Sequence, residues 1–332
     1  MRAFILVLLA CLAARAGAQT TLNFSLDFIM FGSNAPFVFA DERGYFKDAG
    51  VAVKIDPSSG SGDAVNRLAT GTYDIGYADV STLVEFASKN PDVAPKVVLF
   101  IQDKSPAVIL AHKKSGIAKP ADLAGRSLGS GSTDAGARMF PMFARLNGVD
   151  TSRIDRQMVD FRLRDSLFAQ GKFDAVIAFR DSLLSIRALG VDPNTVTVLA
   201  YQDYGLNLYG NAMIASRKVI QGNPDALRRS VEAAAKAWRD AIRNPAPAID
   251  ALAKRNNLTK RDVDLERLTF IIENQIVTPF TRAHGIGAVD TKRLDDHLKL
   301  IGEGFGLVRV PTRAEIYDER FVPPLAVRKF VD

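Results

Sequence analysis

Two short polar turns, each followed by a helix-like segment, carry residue types that suit ligand binding. The first is Gly-Ser-Gly-Asp at 60–63, and the second is Ser-Gly-Ser-Thr-Asp at 130–134. Free backbone N–H groups and hydroxyls at a helix N-terminus favour an anion or a polar ligand group. The same residue types are also preferred simply as helix caps. Because the turns are expected at equivalent places in two α/β halves, ligand binding explains them as well as capping does.

A third candidate patch is the stretch SLDFIMFGSNAPF at 25–37. Asp27 ends the first predicted strand, Phe28 and Phe31 follow it, and Asn34 opens a helix. A strand end that carries aromatic rings and one carboxylate suits a small, flat, polar ligand. The alternative is that both phenylalanines are core residues, which is the commoner role of this side chain.

Arg180 follows the predicted strand at 174–179 and therefore also lies at a carboxyl end. In open α/β sheets, ligands bind outside the carboxyl ends of the strands. A guanidinium at that place suits a ligand anion, and the alternative is a surface salt bridge with Asp181 or a neighbouring residue. The predicted ligand-binding residues are Asp27, Phe28, Phe31, Asn34, Ser61, Gly62, Asp63, Asp79, Ser130, Ser132, Thr133 and Arg180.

Several familiar kinds of site are excluded by specific residues. A P-loop requires a lysine that neither turn supplies, and a dinucleotide fingerprint requires a third glycine where this chain has Asn66 and Arg67. His112, His284 and His297 lack the spacing of metal ligands. The sequence therefore predicts no catalytic residue, no metal site and no cofactor, and a protein that is not an enzyme.

The first 18 residues have the pattern of a secretory signal peptide. An apolar run at 4–12 precedes Ala-Gly-Ala at 16–18, which is a small-residue cleavage site. The one cysteine of the chain, Cys11, lies inside this segment, so the mature protein is predicted to have no thiol. The alternative is that LLAC at 8–11 is a lipoprotein box and that Cys11 carries a lipid anchor.

The bulk composition is that of a globular protein. The chain has 332 residues, of which 47% are hydrophobic and 24% are charged. Its formal net charge is +6, but the basic residues are scattered, so no nucleic-acid partner is predicted. Beyond the first segment no apolar run is long enough to span a bilayer, which predicts a soluble mature protein.

Short apolar runs alternate with helical patterns through the first two thirds of the chain. Strands are predicted at 22–28, 51–55, 73–77, 97–102, 107–112, 127–129, 157–160, 174–179, 196–200 and 208–216, and helices at 35–48, 63–70, 80–88, 134–147, 164–170 and 181–189. The remainder is mainly helical, with helices predicted at 259–274 and 290–304, and Trp238 is predicted to be a core residue. Repeated β–α alternation predicts an α/β fold of two lobes with mainly parallel sheets.

Four segments carry a resemblance to a known family: SNAPFVFADERGYFKDAGVAVKI, GSGDAVNRLATGTYDIGYADVSTL, KPADLAGRSLGSGS and LFAQGKFDAVIAF. They resemble the periplasmic substrate-binding proteins of ABC importers for nitrate, sulfonates, taurine and thiamine pyrimidine precursors. The resemblance implies a two-lobe periplasmic-binding-protein fold (type II), whose two crossing strands, near Ala107–His112 and Leu208–Ile214, act as the hinge. The implied domains are the signal peptide at 1–18, lobe one at 19–108 plus 212–332, and lobe two at 109–211.

The resemblance further implies a monomeric periplasmic protein that captures a small solute and delivers it to the membrane subunits of an ABC importer. The solute stays open between an aromatic heterocycle, such as a thiamine pyrimidine precursor, and an organic anion, such as a sulfonate. Phe28 stands where the pyrimidine-binding members have a tryptophan, and the histidine that follows in those members is absent. An enzyme of pyrimidine-precursor metabolism on the same scaffold is the alternative function.

Overall fold

The computed structural model describes residues 20–131 and 134–331. The predicted signal peptide, with Cys11, and the predicted site residues Ser132 and Thr133 lie outside these ranges. Within them the strands are, in chain order, β1 (Thr20–Ser25), β2 (Val51–Asp56), β3 (Ile75–Asp79), β4 (Lys96–Phe100), β5 (Ala107–His112), β6 (Ser127–Gly131), β7 (Asp155–Val159), β8 (Ala175–Phe179), β9 (Val196–Ala200) and β10 (Asn211–Ala215).

The α-helices of the described ranges cover both sheets and make up most of the chain after 216. They are α1 (Ala35–Glu42), α2 (Tyr45–Asp48), α3 (Ser61–Ala69), α4 (Val80–Lys89), α5 (Ala135–Leu146), α6 (Phe161–Ala169), α7 (Ser182–Ala188), α8 (Arg217–Gly222), α9 (Pro224–Arg243), α10 (Ala246–Arg255), α11 (Arg261–Ile271), α12 (Pro279–His284), α13 (Thr291–Phe305), α14 (Arg313–Ile316) and α15 (Leu325–Arg328). A π-helical turn at Ile272–Ile276 continues α11.

Two five-stranded sheets form the frames of the two lobes. The sheet of lobe one has the order β2-β1-β3-β10-β4, and that of lobe two has the order β7-β6-β8-β5-β9. The chain crosses between the sheets twice, after β4 and again before β10. The two-lobe α/β fold predicted from the sequence is therefore confirmed.

The expectation of mainly parallel sheets needs correction. The strands β10 and β5 each run antiparallel to both of their neighbours. The chain enters lobe two along β5 and returns to lobe one along β10, so each of these strands points away from the other lobe. The other strands of each sheet end with their carboxyl ends facing the other lobe. Hydrophobic alternation reports burial and not strand direction, which is why the sequence did not reveal this.

The two polar turns do not lie at equivalent places. In the matching strand orders β6 occupies the position of β1, whereas the turn at 60–63 follows β2, at the edge of its sheet. The counterpart of the turn at 130–134 is therefore the segment after β1, which carries Asp27 and Phe28. The expectation that both turns bind a ligand because they occupy equivalent places in the two lobes therefore loses its basis.

Glycines stand at two predicted boundaries that the structure changes. The helix predicted at 35–48 is two helices, since Gly44 adopts a left-handed φ of 79° between α1 and α2. The strand predicted from 208 begins only at Asn211. There Gly210 packs so closely that a Cβ would lie 2.5 Å from Oε1 of Gln102.

The core of lobe one is centred on Trp238, whose side chain is fully buried as predicted. Its ring packs 5.6 Å from Phe37 and 6.4 Å from Tyr77, measured between ring centroids. On the other side of the sheet, α13 contacts both α4 of lobe one and α5 of lobe two, so one hydrophobic cluster continues through both lobes. The two lobes are thus packed together along this side of the molecule.

His297, on α13, is a structural residue. The backbone N–H of Tyr209 donates to its Nδ1 at 3.1 Å, and its Nε2 lies 3.2 Å from Oγ of Ser81. Burial lowers the pKa of His297 to about 3, so the ring is neutral. Among residues 20–131 and 134–331, no helix is long and apolar enough to cross a membrane.

Candidate ligand-binding site between the lobes

A cavity of about 540 Å³ lies between the two lobes. Lobe one lines it with side chains that follow β1, belong to α11 or directly precede it: Phe28, Ile29, Phe31, Lys260, Val263 and Arg267. Lobe two lines it with side chains that follow β6, β7 and β8: Asp134, Phe161, Arg162, Arg164, Asp165, Ser166, Phe179, Asp181, Ser182, Ser185, Ala188 and Leu189. The carboxyl ends of strands from both lobes therefore meet here.

Aromatic side chains line the cavity from both lobes. The rings of Phe28 and Phe161 meet edge to face across the cleft, with centroids 3.8 Å apart and an interplanar angle of 85°. Phe31 packs edge-on against Phe28 at 6.5 Å. Phe161 is held in place because it begins α6, whose N-cap is Asp160. These rings, with Phe179 at the end of β8, provide apolar surfaces for a flat ligand.

A buried ionic network forms part of the wall contributed by lobe two. The Arg164 guanidinium, 5% exposed, bonds Asp134 at 2.5 Å, Asp165 at 2.9 Å and the Ser182 hydroxyl at 2.9 Å. Burial by itself lowers the pKa of Arg164, but the two carboxylates raise it overall. This guanidinium is therefore a charged group whose bonds are directed at the protein and not at the cavity.

Arg267, on α11, links the two lobes at the rim of the cavity. Its guanidinium pairs with Asp181 at 2.6 Å and donates to the Ser185 hydroxyl at 2.9 Å, both on lobe two. The same group lies 5.3 Å from the centroid of the Phe31 ring. A second ion pair, Arg187 with Glu266, joins the same two helices at the surface. These two ion pairs join α7 of lobe two to α11 of lobe one.

Removing the Arg267 side chain is expected to shift the protein toward an open arrangement, because the buried bonds to Asp181 and Ser185 hold the lobes together. Charge-assisted bonds of this kind correspond to about a 10-fold change in the open-to-closed ratio. Arg267→Ala should therefore increase the radius of gyration measured by small-angle X-ray scattering. Arg187→Ala, at the exposed pair with Glu266, is the matched control and should change it little. Equal scattering curves for wild type and Arg267→Ala would contradict the linking role.

Asp27, the first predicted site residue, is buried at the edge of this region and is not among the residues that line the cavity. Nδ2 of Asn211 donates to its Oδ2 at 2.6 Å, and Nδ2 of Asn34 lies 3.5 Å from its Oδ1. Burial raises the pKa of Asp27 to about 7, against the hydrogen bonds from Asn34 and Asn211, which lower it. Asp27 thus connects the segment after β1 to the crossing strand β10.

Asn34 holds the loop that presents Phe31. Its amide donates to the Ile29 carbonyl at 3.0 Å and accepts from the Phe31 N–H at 3.2 Å. Of the predicted residues within the described ranges, Phe28 and Phe31 line the cavity. Phe28 is 7% exposed, so it serves both as cavity wall and as buried packing, which were the two alternatives for it.

The first polar turn bonds within lobe one. Oγ of Ser61 accepts from the Asp79 N–H at 3.0 Å, and Asp79 in turn caps α4 by accepting from the Thr82 N–H at 2.9 Å. Burial raises the pKa of Asp79 to about 6. These bonds join the turn to the end of β3.

The other two predicted residues of this turn also lie within lobe one. Asp63 accepts from the Ser59 N–H at 3.1 Å and pairs with Arg67 at 2.9 Å. Gly62 has open space around the position of a Cβ. Like Ser61 and Asp79, they are not among the residues that line this cavity. The ligand role of all four stays a prediction.

The predicted residues of lobe two are distributed differently. Ser130 is fully buried, with its Oγ 3.1 Å from Sδ of Met158. Arg180 is partly exposed, and its side chain makes no hydrogen bond or ion pair with any residue of the described ranges. The surface salt bridge considered for Arg180 with Asp181 does not form, and Asp181 pairs with Arg267 instead. The ligand role of Arg180 remains a prediction.

The residues of the site that the sequence-based reasoning missed include Phe161, Phe179, Arg164 and Arg267. Phe179 and Phe161 were recognisable in principle, since each stands at or just after the end of a predicted strand. Arg267 carries no such signal, because it lies on a helix of the C-terminal part and reaches the cavity only through packing.

Known proteins share sequence similarity with this chain. The family model described as NMT1/THI5 like matches residues 33–248. Among curated proteins, the riboflavin-binding protein RibY of Chloroflexus aurantiacus is 24% identical over 329 residues, covering 94% of this chain and 89% of RibY.

Solved structures share the fold over nearly the whole chain. The periplasmic aliphatic sulphonate binding protein SsuA of Escherichia coli has a TM-score of 0.70 at 15% identity, covering 91% of this chain and 93% of SsuA. DSZB, in a mutant form complexed with biphenyl-2-sulfinic acid, has a TM-score of 0.61 at 14% identity, covering 92% and 98% of the two chains. At these identities the likeness establishes the fold.

Proposed function

The chain belongs to the NMT1/THI5-like family, and from this membership we propose that it is an extracytoplasmic solute-binding protein of an ABC importer. Its solute is a flat, neutral aromatic heterocycle, which it holds between the lobes. The observation that carries this proposal is the cavity lined by phenylalanines from both lobes, with Phe28 and Phe161 in contact across it.

The charges around the cavity favour a neutral solute over an anion. The two guanidinium groups least exposed in the lining, those of Arg164 and Arg267, are both engaged by carboxylates of the protein. The other cations of the lining, Arg162 and Lys260, are exposed to solvent. An anion buried here would therefore lose its hydration without gaining an unpaired partner, which is costly.

The relatives agree with this choice in part. RibY is named as a riboflavin-binding protein, and the ring system of riboflavin is a flat heterocycle. An organic anion such as a sulfonate is the second candidate, since SsuA is named as a sulphonate-binding protein. Arg180 is the observation on this chain that favours it, because its side chain has no partner in the described ranges.

Location and partners form part of the same proposal. The segment at 1–18 has the pattern of an export signal and supports a periplasmic location. There the protein would act as a monomer that delivers its solute to importer membrane subunits. The alternative is an enzyme on this scaffold, because DSZB has the same fold and is described as a desulfurization enzyme. Among the described residues that line the cavity there is no cysteine or histidine to act as a nucleophile or base.

A thermal-shift comparison tests the function. A solute that binds only the folded protein raises its melting temperature, by an amount that corresponds to about 2.7 kcal/mol at a hundredfold excess over Kd. Riboflavin, an aminopyrimidine, an alkanesulfonate and nitrate would be compared at equal concentration. We expect a rise with a heterocycle and none with the anions. A rise with the sulfonate or nitrate alone would contradict the proposed solute class.

Shortening Phe161 should weaken the binding of a heterocycle by about 10-fold, because the ring supplies part of the apolar surface on which the solute packs. Phe161→Ala would be measured by isothermal titration calorimetry with the solute that gives the largest thermal shift. Phe280→Ala is the matched control, since Phe280 is not among the residues lining this cavity and packs against His284. Equal affinities of Phe161→Ala and wild type would contradict the placement of the solute.

A further inference from the structure

One carboxylate oxygen in the wall of the cavity has no hydrogen-bond partner in the described ranges. It is Oδ1 of Asp134, a residue that lines the cavity and is only 2% exposed. Buried polar atoms in native proteins are nearly always paired, so an unpaired acceptor beside a ligand cavity calls for an explanation. A donor on the solute would supply the missing partner.

The position of Asp134 is fixed by its surroundings. Its Oδ2 accepts from Arg164 at 2.5 Å, and Asp165 and Ser182 hold Arg164 in turn. Gly131 allows the carboxylate to lie against the backbone, because a Cβ there would come within 2.7 Å of Oδ2. With Oδ2 committed to Arg164, Oδ1 is a fixed acceptor that has no partner in the described ranges.

We propose that Asp134 is a specificity-determining residue that accepts a hydrogen bond from an N–H at the edge of the heterocycle. This inference rests on the proposed function, since it concerns the same cavity. An ionised carboxylate can accept but not donate, so it selects a ring with an imide or amino N–H. It also repels a sulfonate or carboxylate, which adds discrimination against the anionic solutes of related proteins.

The test compares a solute with its N-methylated form, because methylation removes the N–H and leaves the ring. Riboflavin and 3-methylriboflavin form one such pair, and thymine and 3-methylthymine form another. The wild-type protein should bind the N–H form about 10- to 100-fold more tightly, which is the range for a hydrogen bond to a charged group. Flavin fluorescence and calorimetry report the two dissociation constants directly.

Two variants locate the effect. In Asp134→Asn the amide oxygen should face Arg164, so the amide nitrogen meets the N–H of the solute and the preference should fall to about one. Asp155→Asn is the matched control, because Asp155 is exposed on β7 of the same lobe, bonds Gln157 at 2.8 Å and is not among the residues that line the cavity. It should retain the preference for the N–H form, and the melting temperature of each variant shows that it is folded.

The possible results distinguish the proposed role of Asp134 from the proposed solute-binding function. If the wild-type protein binds riboflavin or thymine without preferring the N–H form, or if Asp134→Asn keeps the preference, the role of Asp134 is wrong while the proposed function stands. The wild-type comparison holds even if the variant does not fold. If the wild-type protein binds none of these heterocycles, the neutral-heterocycle assignment and this inference both fail.

Discussion

Replacing Arg164 with methionine is expected to lower the free energy of unfolding by about 3–5 kcal/mol, which is the usual cost of removing one partner of a buried ion pair. The guanidinium is buried and bonds two carboxylates and one hydroxyl. Without it, Asp134 remains as a charge inside the protein with no partner. Urea denaturation followed by circular dichroism would measure the difference.

Two further variants show whether the loss comes from the stranded charge. Arg162→Met removes a neighbouring arginine whose pair with Asp160 lies at the surface, and it should remain close to wild type. The double variant Arg164→Met with Asp134→Asn removes the stranded charge and should recover part of the loss. If Arg164→Met were no less stable than Arg162→Met, the network would not have the structural role assigned to it.

Asp27 is expected to make the protein less stable as the pH rises from about 4 to 7. Its pKa is 3.8 as an ordinary side chain and about 7 in the folded protein, because burial disfavours the ionised form. Between these two pH values the folded protein holds a proton on Asp27 that the unfolded chain has already lost. The free energy of unfolding therefore falls as the pH rises through this range. The difference corresponds to at most about 4 kcal/mol above pH 7.

Asp27→Asn should remove this part of the pH dependence, since the amide has nearly the same shape and does not ionise. The variant should approach or exceed the stability of wild type at pH 8 and gain nothing at pH 4. Burial raises the pKa of Asp79 to about 6, so Asp79 also lowers the free energy of unfolding as the pH rises. Asp79 is present in both wild type and Asp27→Asn, so it does not affect their comparison. Urea denaturation at four pH values would compare them, and parallel profiles would show that Asp27 does not titrate as stated.

The fold was predictable because its signals are local. Apolar runs followed by helical patterns marked each β–α step, and β5 and β9 have the predicted bounds. The antiparallel direction of β5 and β10 was missed, because apolar periodicity reports burial and not strand direction. Only the crossings that the family resemblance implies at these strands carry that information. The break at Gly44 was also missed, although a left-handed glycine is a common local stop signal at the end of a helix.

The candidate site was predictable only where aromatic residues follow a strand. Phe28 and Phe31 were recognised on that basis, and they line the cavity. The polar turn at 60–63 bonds within its own lobe, because hydroxyls and carboxylates at a helix N-terminus readily satisfy local backbone groups. Contacts across the cleft, such as Arg267 with Asp181, join residues 86 positions apart and leave no mark in the local sequence.

The central claim is that this cavity captures a neutral aromatic heterocycle and releases it unchanged. Purified protein would be incubated with equal concentrations of riboflavin, an aminopyrimidine, an alkanesulfonate and nitrate, and freed of unbound solute. The solute retained by the protein would then be identified by mass spectrometry. We predict that a heterocycle is retained at its original mass, at about one molecule per chain, as expected for a single cleft. Retention of the sulfonate or nitrate, or recovery of a heterocycle with a changed mass, would contradict the claim.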